Sequence, residues 1–226
     1  MTSTLKCFAI AALTLLLSNV TVKDSGIELF SIAIAQTPNR TNPVQDTLII
    51  PGVRVGAVTR NTSRKDLTKL FGAQALKDTT ISGPEGIGTL AATRVNLGLQ
   101  KSFTIVWTNA SRTKPGNIRD LGTAWKTPEG LATGTSFAQL RQTLGEFRLS
   151  GLGWDYGGIV FIEQTRLSRY AGKLILLLDA APDAANRFPK DYEAISGDQE
   201  LSSTNSHWKP LGMRVAQMIV TLNATP

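Results

Sequence analysis

The sequence predicts an α+β protein, built as two tandem helix-plus-antiparallel-strand repeats that share a core. Three observations lead there. The stretch TSRKDLTKLFG at residues 62–72 has a counterpart, TSFAQLRQTLG, at residues 135–145. Each copy has the marks of a short capped helix. Each is then followed by segments whose apolar residues alternate or run together at strand length, divided by Gly/Pro turn signals.

From the start of the chain, residues 1–35 read as a signal peptide. Lys6 supplies a positive end, residues 8–17 (FAIAALTLLL) an apolar run, and Ala33-Ile34-Ala35 a small-residue cut site before Gln36. Lys23, Asp24 and Glu28 lie between run and site, so a cut near Ser18 and an uncleaved anchor are alternatives. The run falls short of the ~20 residues that cross a bilayer, so no stable transmembrane anchor is expected after cleavage. A periplasmic or secreted location follows. Residues 36–46 (QTPNRTNPVQD), polar with two prolines, suit a flexible lead-in.

The first repeat is assigned to residues 47–122 and the second to residues 123–226. In the first, Ser63 caps the helix with Asp66 at the reciprocal position. Leu67, Leu70 and Phe71 share a face, and Gly72 ends the helix in a left-handed conformation. Strands are expected at residues 94–99 and 103–107, with turns at residues 82–86 (SGPEG) and 114–117 (KPGN). In the second, Ser136, Gln139 and Gly145 play the same parts, and Phe137, Leu140 and Leu144 form the apolar face. Strands are expected at residues 158–163, 173–178 and 215–222. The run KLILLL at 173–178 reads as a central strand covered on both faces. Residues 179–191 read as a loop, or a short helix broken by Pro182 and Pro189.

Composition narrows the chemistry. Hydrophobic residues make up 42% and charged residues 18%, which fits a globular chain and not a disordered one. Cys7, the single cysteine, precedes the apolar run, where a lipid-modified cysteine would follow it. The mature part therefore has no disulfide, thiolate metal site or cysteine nucleophile. The leader is neutral, so the mature part carries the whole net charge of +7. That charge fits attraction to an anionic partner, or simply a solvated basic surface.

Trp125-Lys126-Thr127-Pro128-Glu129-Gly130-Leu131, then Gly134-Thr135-Ser136, then residues 151–158 (GLGWDYGG) form one more pattern. It resembles a group of exported bacterial proteins that share a W-x-T-x-x-G, G-T-S, G-x-G-W-D-Y-G-G signature. The resemblance covers roughly residues 122–174 and implies a shared fold, but no catalytic residue, since the group has no assigned activity. In layout alone, the paired helix-then-strands plan is similar to the outer-membrane assembly lipoproteins of the SmpA/BamE type. It is equally similar to the tandem β-lactamase inhibitor proteins.

Residues 151–158 are the most distinctive stretch. Their glycines can bring backbone amides to a ligand while Trp154 and Tyr156 make a stacking platform and Asp155 accepts a hydrogen bond. The other reading is a tight turn between strands, with the aromatics plugging the core. Trp125 joins Trp154, Asp155 and Tyr156 as a ligand-binding candidate, because Trp107, Trp125, Trp154 and Trp208 near strand ends can line a groove; the alternative is four core fillers. The stretch 83–88 (GPEGIG) lacks the Gly-Lys-Ser/Thr ending of a phosphate loop and reads as a turn. His207 is the sole histidine, and no Gly-x-Ser-x-Gly elbow accompanies it. Asp155 with Glu163, and Asp179 with Asp183, are the carboxylate pairs to consider for acid/base work. No catalytic residue, metal or cofactor is assigned.

The functional expectation is a non-enzymatic envelope protein that binds a partner, either an envelope protein or an anionic envelope polymer. A hydrolase of an envelope polymer using Asp155 or Glu163 is one alternative, and an inhibitor of an extracellular enzyme is another. Nucleic acid is not an expected partner, because basic charge is its only support and export argues against it.

Overall fold

Strand formation is governed here by a six-stranded sheet in which every pairing is antiparallel. The computed structural model describes residues 45–83 and 86–224, all within one unit that spans Arg40–Pro226. The leader at 1–35 and most of the lead-in at 36–46 lie outside the described residues. Helix accounts for 24% and strand for 33%, so the fold is a mixed α+β one.

In chain order, β1 (Ile49–Ile50), β2 (Arg54–Val55) and β3 (Val58–Thr59) make a small sheet. Helix α1 (Arg64–Phe71) follows, then β4 (Leu76–Ser82), β5 (Thr89–Val95), β6 (Phe103–Trp107) and β7 (Pro115–Arg119). Next come α2 (Phe137–Leu144), β8 (Arg148–Ser150), β9 (Val160–Phe161) and β10 (Leu174–Asp179). Short helices α3 (Ala184–Arg187) and α4 (Pro189–Ala194), then β11 (Glu200–Ser202) and β12 (Arg214–Thr221), complete the described elements. The large sheet has the order β10-β12-β7-β6-β5-β4, and β11-β8-β9 form a third sheet. An isolated bridge between Ile159 and Leu177 links that third sheet to β10.

Both expected helices form, each with a complete capping box. Ser63 Oγ accepts from Asp66 N at 3.2 Å while Asp66 Oδ2 accepts from Ser63 N at 3.1 Å. Ser136 Oγ accepts from Gln139 N at 3.3 Å, and Gln139 Oε1 from Ser136 N at 3.2 Å. Such a cap contributes about 1 kcal/mol per helix. Gly72 and Gly145 both sit at φ +83°, but their ψ values of 150° and −153° are extended and not left-handed helical. That region is open essentially to glycine alone.

One hydrophobic cluster spans both halves. It takes Leu67 from α1, Leu140 and Leu144 from α2, and the inward row Phe103, Ile105, Trp107, Ile118, Val220, Leu174, Leu176 and Leu178 from the sheet. Trp125 packs edge-on against Phe103 with ring centres 5.2 Å apart. Ala92 and Val106, on the opposite face, are buried but stand outside the cluster.

Several local expectations are corrected. The strand placed at 94–99 is instead Thr89–Val95, because the Asn96 side chain accepts from Gly98 N at 3.2 Å and Ser102 Oγ at 3.1 Å and bends the chain into a turn. Of residues 114–117, read as a turn, 115–117 open β7: Pro115 is its first residue, where a missing N–H costs no ladder bond. Strand β10 is not covered on both faces. Leu174, Leu176 and Leu178 are buried while Ile175 is 36% exposed, because only one face meets the core. Of residues 158–163 only Val160–Phe161 is strand, and Ile162–Gln164 tightens into a 3-10 turn. Pro189 does not break a helix; it starts α4, where proline is favoured.

A polar chain runs from the core to α1. The buried Trp107 Nε1 donates to Thr93 Oγ1 at 2.9 Å, and Thr93 Oγ1 donates to Asp78 Oδ1 at 2.6 Å. Arg64 Nε clamps both Asp78 oxygens at 2.8 and 3.1 Å, with Arg112 Nε 3.7 Å away. Burial works to raise the Asp78 pKa, but the hydrogen bonds from Arg64 and Thr93 outweigh it and hold the carboxyl below its ordinary 3.8. A depressed acid contributes stability that is complete above the unfolded value and lost as pH falls through the folded one. Unfolding by denaturant followed against pH should therefore show Asp78→Asn less stable than the parent at pH 7, with the gap closing below pH ~4. A gap that stays constant to lower pH would remove the carboxylate from this account.

Candidate functional site

Residues 151–158 connect β8 to β9, and glycine is what lets this loop lie where it does. A Cβ on Gly151 would stand 2.5 Å from Gly197 O and 2.8 Å from Ile195 O. At Gly158, φ is +74° and a Cβ would meet Leu178 O at 2.0 Å. The backbone is tied on both flanks. Gly151 N donates to Gln199 O, and Leu152 N to Ile195 O, both at 2.8 Å; Leu178 N donates to Gly158 O, also at 2.8 Å. Ser150 Oγ closes the loop from within, donating to Tyr156 O at 2.6 Å and accepting from Ile159 N at 2.9 Å.

On this braced backbone the aromatics point outward. Trp154 is 36% and Tyr156 50% exposed, so neither plugs the core. Their rings meet edge to face with centres 5.4 Å apart, and Trp154 Nε1 donates to Gly151 O at 3.0 Å. Two hollows adjoin the pair, and a third lies next to one of them. One of about 530 Å³ is lined by Trp154, Asp155, Leu177, Asp179, Tyr192 and Gln217 among others. A second, about 260 Å³, lies between Trp154, Tyr156, Phe161 and Gln199. The third, about 470 Å³, shares Phe161 and Glu200 with the second and adds Glu146, Arg148 and Glu163. Arg148 is ion-paired to Glu200, which pins β8 to β11.

No family model matches the chain, and neither a curated protein nor a solved structure does. The site is therefore read from its own geometry.

Three of the four candidate residues come together here: Trp154, Asp155 and Tyr156. Trp125 does not. It is buried, and its Nε1 donates to Lys101 O at 3.0 Å. The rest of its motif is scaffold as well: Thr127 Oγ1 accepts from Leu131 N at 3.3 Å, and Glu129 Oε1 accepts from Tyr170 OH at 3.0 Å. Asp155 and Glu163 line different hollows and face no common cleft. Asp179 Oδ1 accepts from Ala180 N at 2.7 Å, and Asp183 pairs with Arg187 at 3.1 Å. His207 Nδ1 meets Asp191 Oδ1 at 2.8 Å, and no serine hydroxyl is bonded to the ring among the described residues. Among those residues there is also no group of three or more His, Cys, Asp or Glu able to hold a metal, and no helix long and apolar enough to cross a membrane.

Sequence reading missed Arg148, Phe161, Gln199 and Glu200. Glu200 on β11 and Gln199 just before it arrive from about fifty residues further along the chain, and no local pattern announces them.

Loop backbone and loop side chains should separate in mutagenesis. Gly158→Ala should cost roughly 2–4 kcal/mol, since it combines a positive φ with a clash against backbone. Trp154→Ala and Tyr156→Ala should each cost about 1 kcal/mol or less, being surface truncations. Thermal unfolding of the three variants checks the order; equal losses would mean the rings are structural.

Proposed function

We propose that this chain is an exported, non-enzymatic binding module that holds an envelope partner through the loop at 151–158 and the adjoining sheet β11-β8-β9. The observation that carries the reading is the pair Trp154 and Tyr156, outward-facing on a backbone fixed by glycine and by hydrogen bonds on both flanks. Rigid, partly exposed aromatics next to concave surface are the kind of anchor that dominates protein interfaces, because little entropy is lost when they dock. Arg148, Glu200 and Gln199 supply the polar rim such an anchor needs.

Export to the periplasm or beyond rests on the leader at 1–35, and the resemblance to exported bacterial proteins supports the same location. In the fold, the finer reading is a tandem one. Helix α1 precedes β4 to β7, while α2 precedes β8, β9, β10 and β12, and both helices start with the same Thr-Ser capping box. Inhibition of an extracellular enzyme is a second reading, favoured by the same exposed aromatic loop. A hydrolase using Asp155 or Glu163 is disfavoured, because these carboxylates line separate hollows and do not form a pair.

The test is crosslinking of the tagged full-length chain, exported in its own cells, followed by recovery of envelope proteins. Trp154→Ala/Tyr156→Ala should retain its fold yet recover the partner at least about tenfold less well than the parent. Equal recovery by a folded double variant would refute the loop as the contact.

A further inference from the structure

Side chains directly opposite each other on adjacent antiparallel strands share a face. Lys77 on β4 is opposite Arg94 on β5, Arg94 is opposite Thr104 on β6, and Thr104 is opposite Arg119 on β7. These four positions form one row across the sheet, on the face away from the helices. Strands lie about 5 Å apart, so Lys77 and Arg94 are near neighbours and Arg119 follows about 10 Å beyond Arg94. Lys77 and Arg94 are exposed, and among the described residues neither side chain has an ion pair or hydrogen bond. The carboxylate nearest Arg119 is Asp120 at 3.8 Å, and it already accepts from Gln217 Nε2 at 3.0 Å. The other positions that β4 to β7 show on this face are Thr79, Ile81, Leu90, Ala92, Val106 and Asn117, none of them acidic.

The wider charge distribution agrees. Residues 47–122 hold eleven Lys/Arg against four Asp/Glu, a surplus of seven, whereas residues 123–226 hold ten of each. The entire net charge of +7 thus belongs to the half that carries the row. Like charges directly opposite on neighbouring strands destabilise a sheet. Lys77 and Arg94 are such a pair, with no acid to relieve them, and an arriving anion would.

We infer that this face of β4 to β7 is a docking surface for an acidic polysaccharide, a chain that carries carboxylates on its sugars. A single anion would be met by Lys77 and Arg94 alone; Arg119, further along, calls for an extended ligand. The guanidinium forks of Arg94 and Arg119 match carboxylates, and the exposed Thr79 is suited to a sugar hydroxyl. A bilayer fits less well. Surface-bound proteins put large apolar groups beside their cations, and here the most exposed ones, Val53, Ile87 and Leu99, sit in connecting loops off the row.

The experiment is binding of the full chain to polygalacturonate by calorimetry, with dextran, inorganic polyphosphate and anionic lipid vesicles run beside it. Lys77→Gln/Arg94→Gln/Arg119→Gln should weaken polygalacturonate binding at least about tenfold, with a shallower dependence on salt. The control Lys126→Gln/Lys190→Gln/Lys209→Gln removes the same charge elsewhere and should stay within about twofold of the parent. The row variant should also melt no lower than the parent, since it relieves repulsion. If it melts lower, Arg94→Gln alone provides the comparison, and it should weaken binding in the same direction. The inference is overturned by no binding of polygalacturonate, by equal losses in row variant and control, or by binding only to polyphosphate or vesicles. None of these results bears on the aromatic loop, whose test is separate.

Discussion

The large sheet is continuous only because β12 meets β7. That seam is short, with Val220 opposite Ile118 and Thr221 opposite Asn117, and both aliphatic side chains are fully buried. Beyond it, the amides of Leu222 and Asn223 both reach Gly116 O, at 2.8 and 3.0 Å. Asn223 Nδ2 adds bonds to Pro115 O at 2.7 Å and Arg60 O at 2.9 Å. Without the seam, β7 and β12 would each be an open edge, and the apolar face beneath the two helices would be cut in two. The single core, with Leu67 from one helix and Leu140 and Leu144 from the other, rests on that junction.

Once the sheet is joined, its two faces have different fates. The helix-side face is apolar and closed, and Trp107, Thr93 and Asp78, which enter it, are bonded in series. On the other face Lys77, Arg94 and Arg119 stand in a row, and only Arg119 has a carboxylate within ion-pair reach, Asp120 at 3.8 Å. Asp78 and Lys77 are consecutive residues, yet the pleat sends one into a salt-bridged network and the other into solvent.

The four tryptophans make a similar contrast. Every indole N–H is satisfied by the protein: Trp107 by Thr93, Trp125 by Lys101, Trp154 by Gly151 and Trp208 by Ser202. Only Trp154 keeps a substantial part of its ring in water. Polar satisfaction therefore does not distinguish it from the other three; the loop beneath it does. Gly151 and Gly158 let the chain press closely on Gly197, Ile195 and Leu178, and Gly157 lets the loop fold tightly on itself.

What the sequence by itself determined is whatever depends on residues close together in the chain. The capping boxes at Ser63 and Ser136 close over three residues, so both helices were legible, as was β6 from its alternation. The unusual character of residues 151–158 was legible too, since so many glycines mark positive φ or a close backbone approach. Tertiary structure decided the rest. Whether Trp125 or Trp154 would be exposed, which face of KLILLL would be covered, and that Glu200 would meet Arg148 across fifty-two positions all depend on strand partners brought from afar. The cationic row is the plainest case. Its members are ordinary surface residues in the sequence, and only the register of four strands sets them side by side, because hydrogen-bond pairing between strands follows the fold and not the order of the chain.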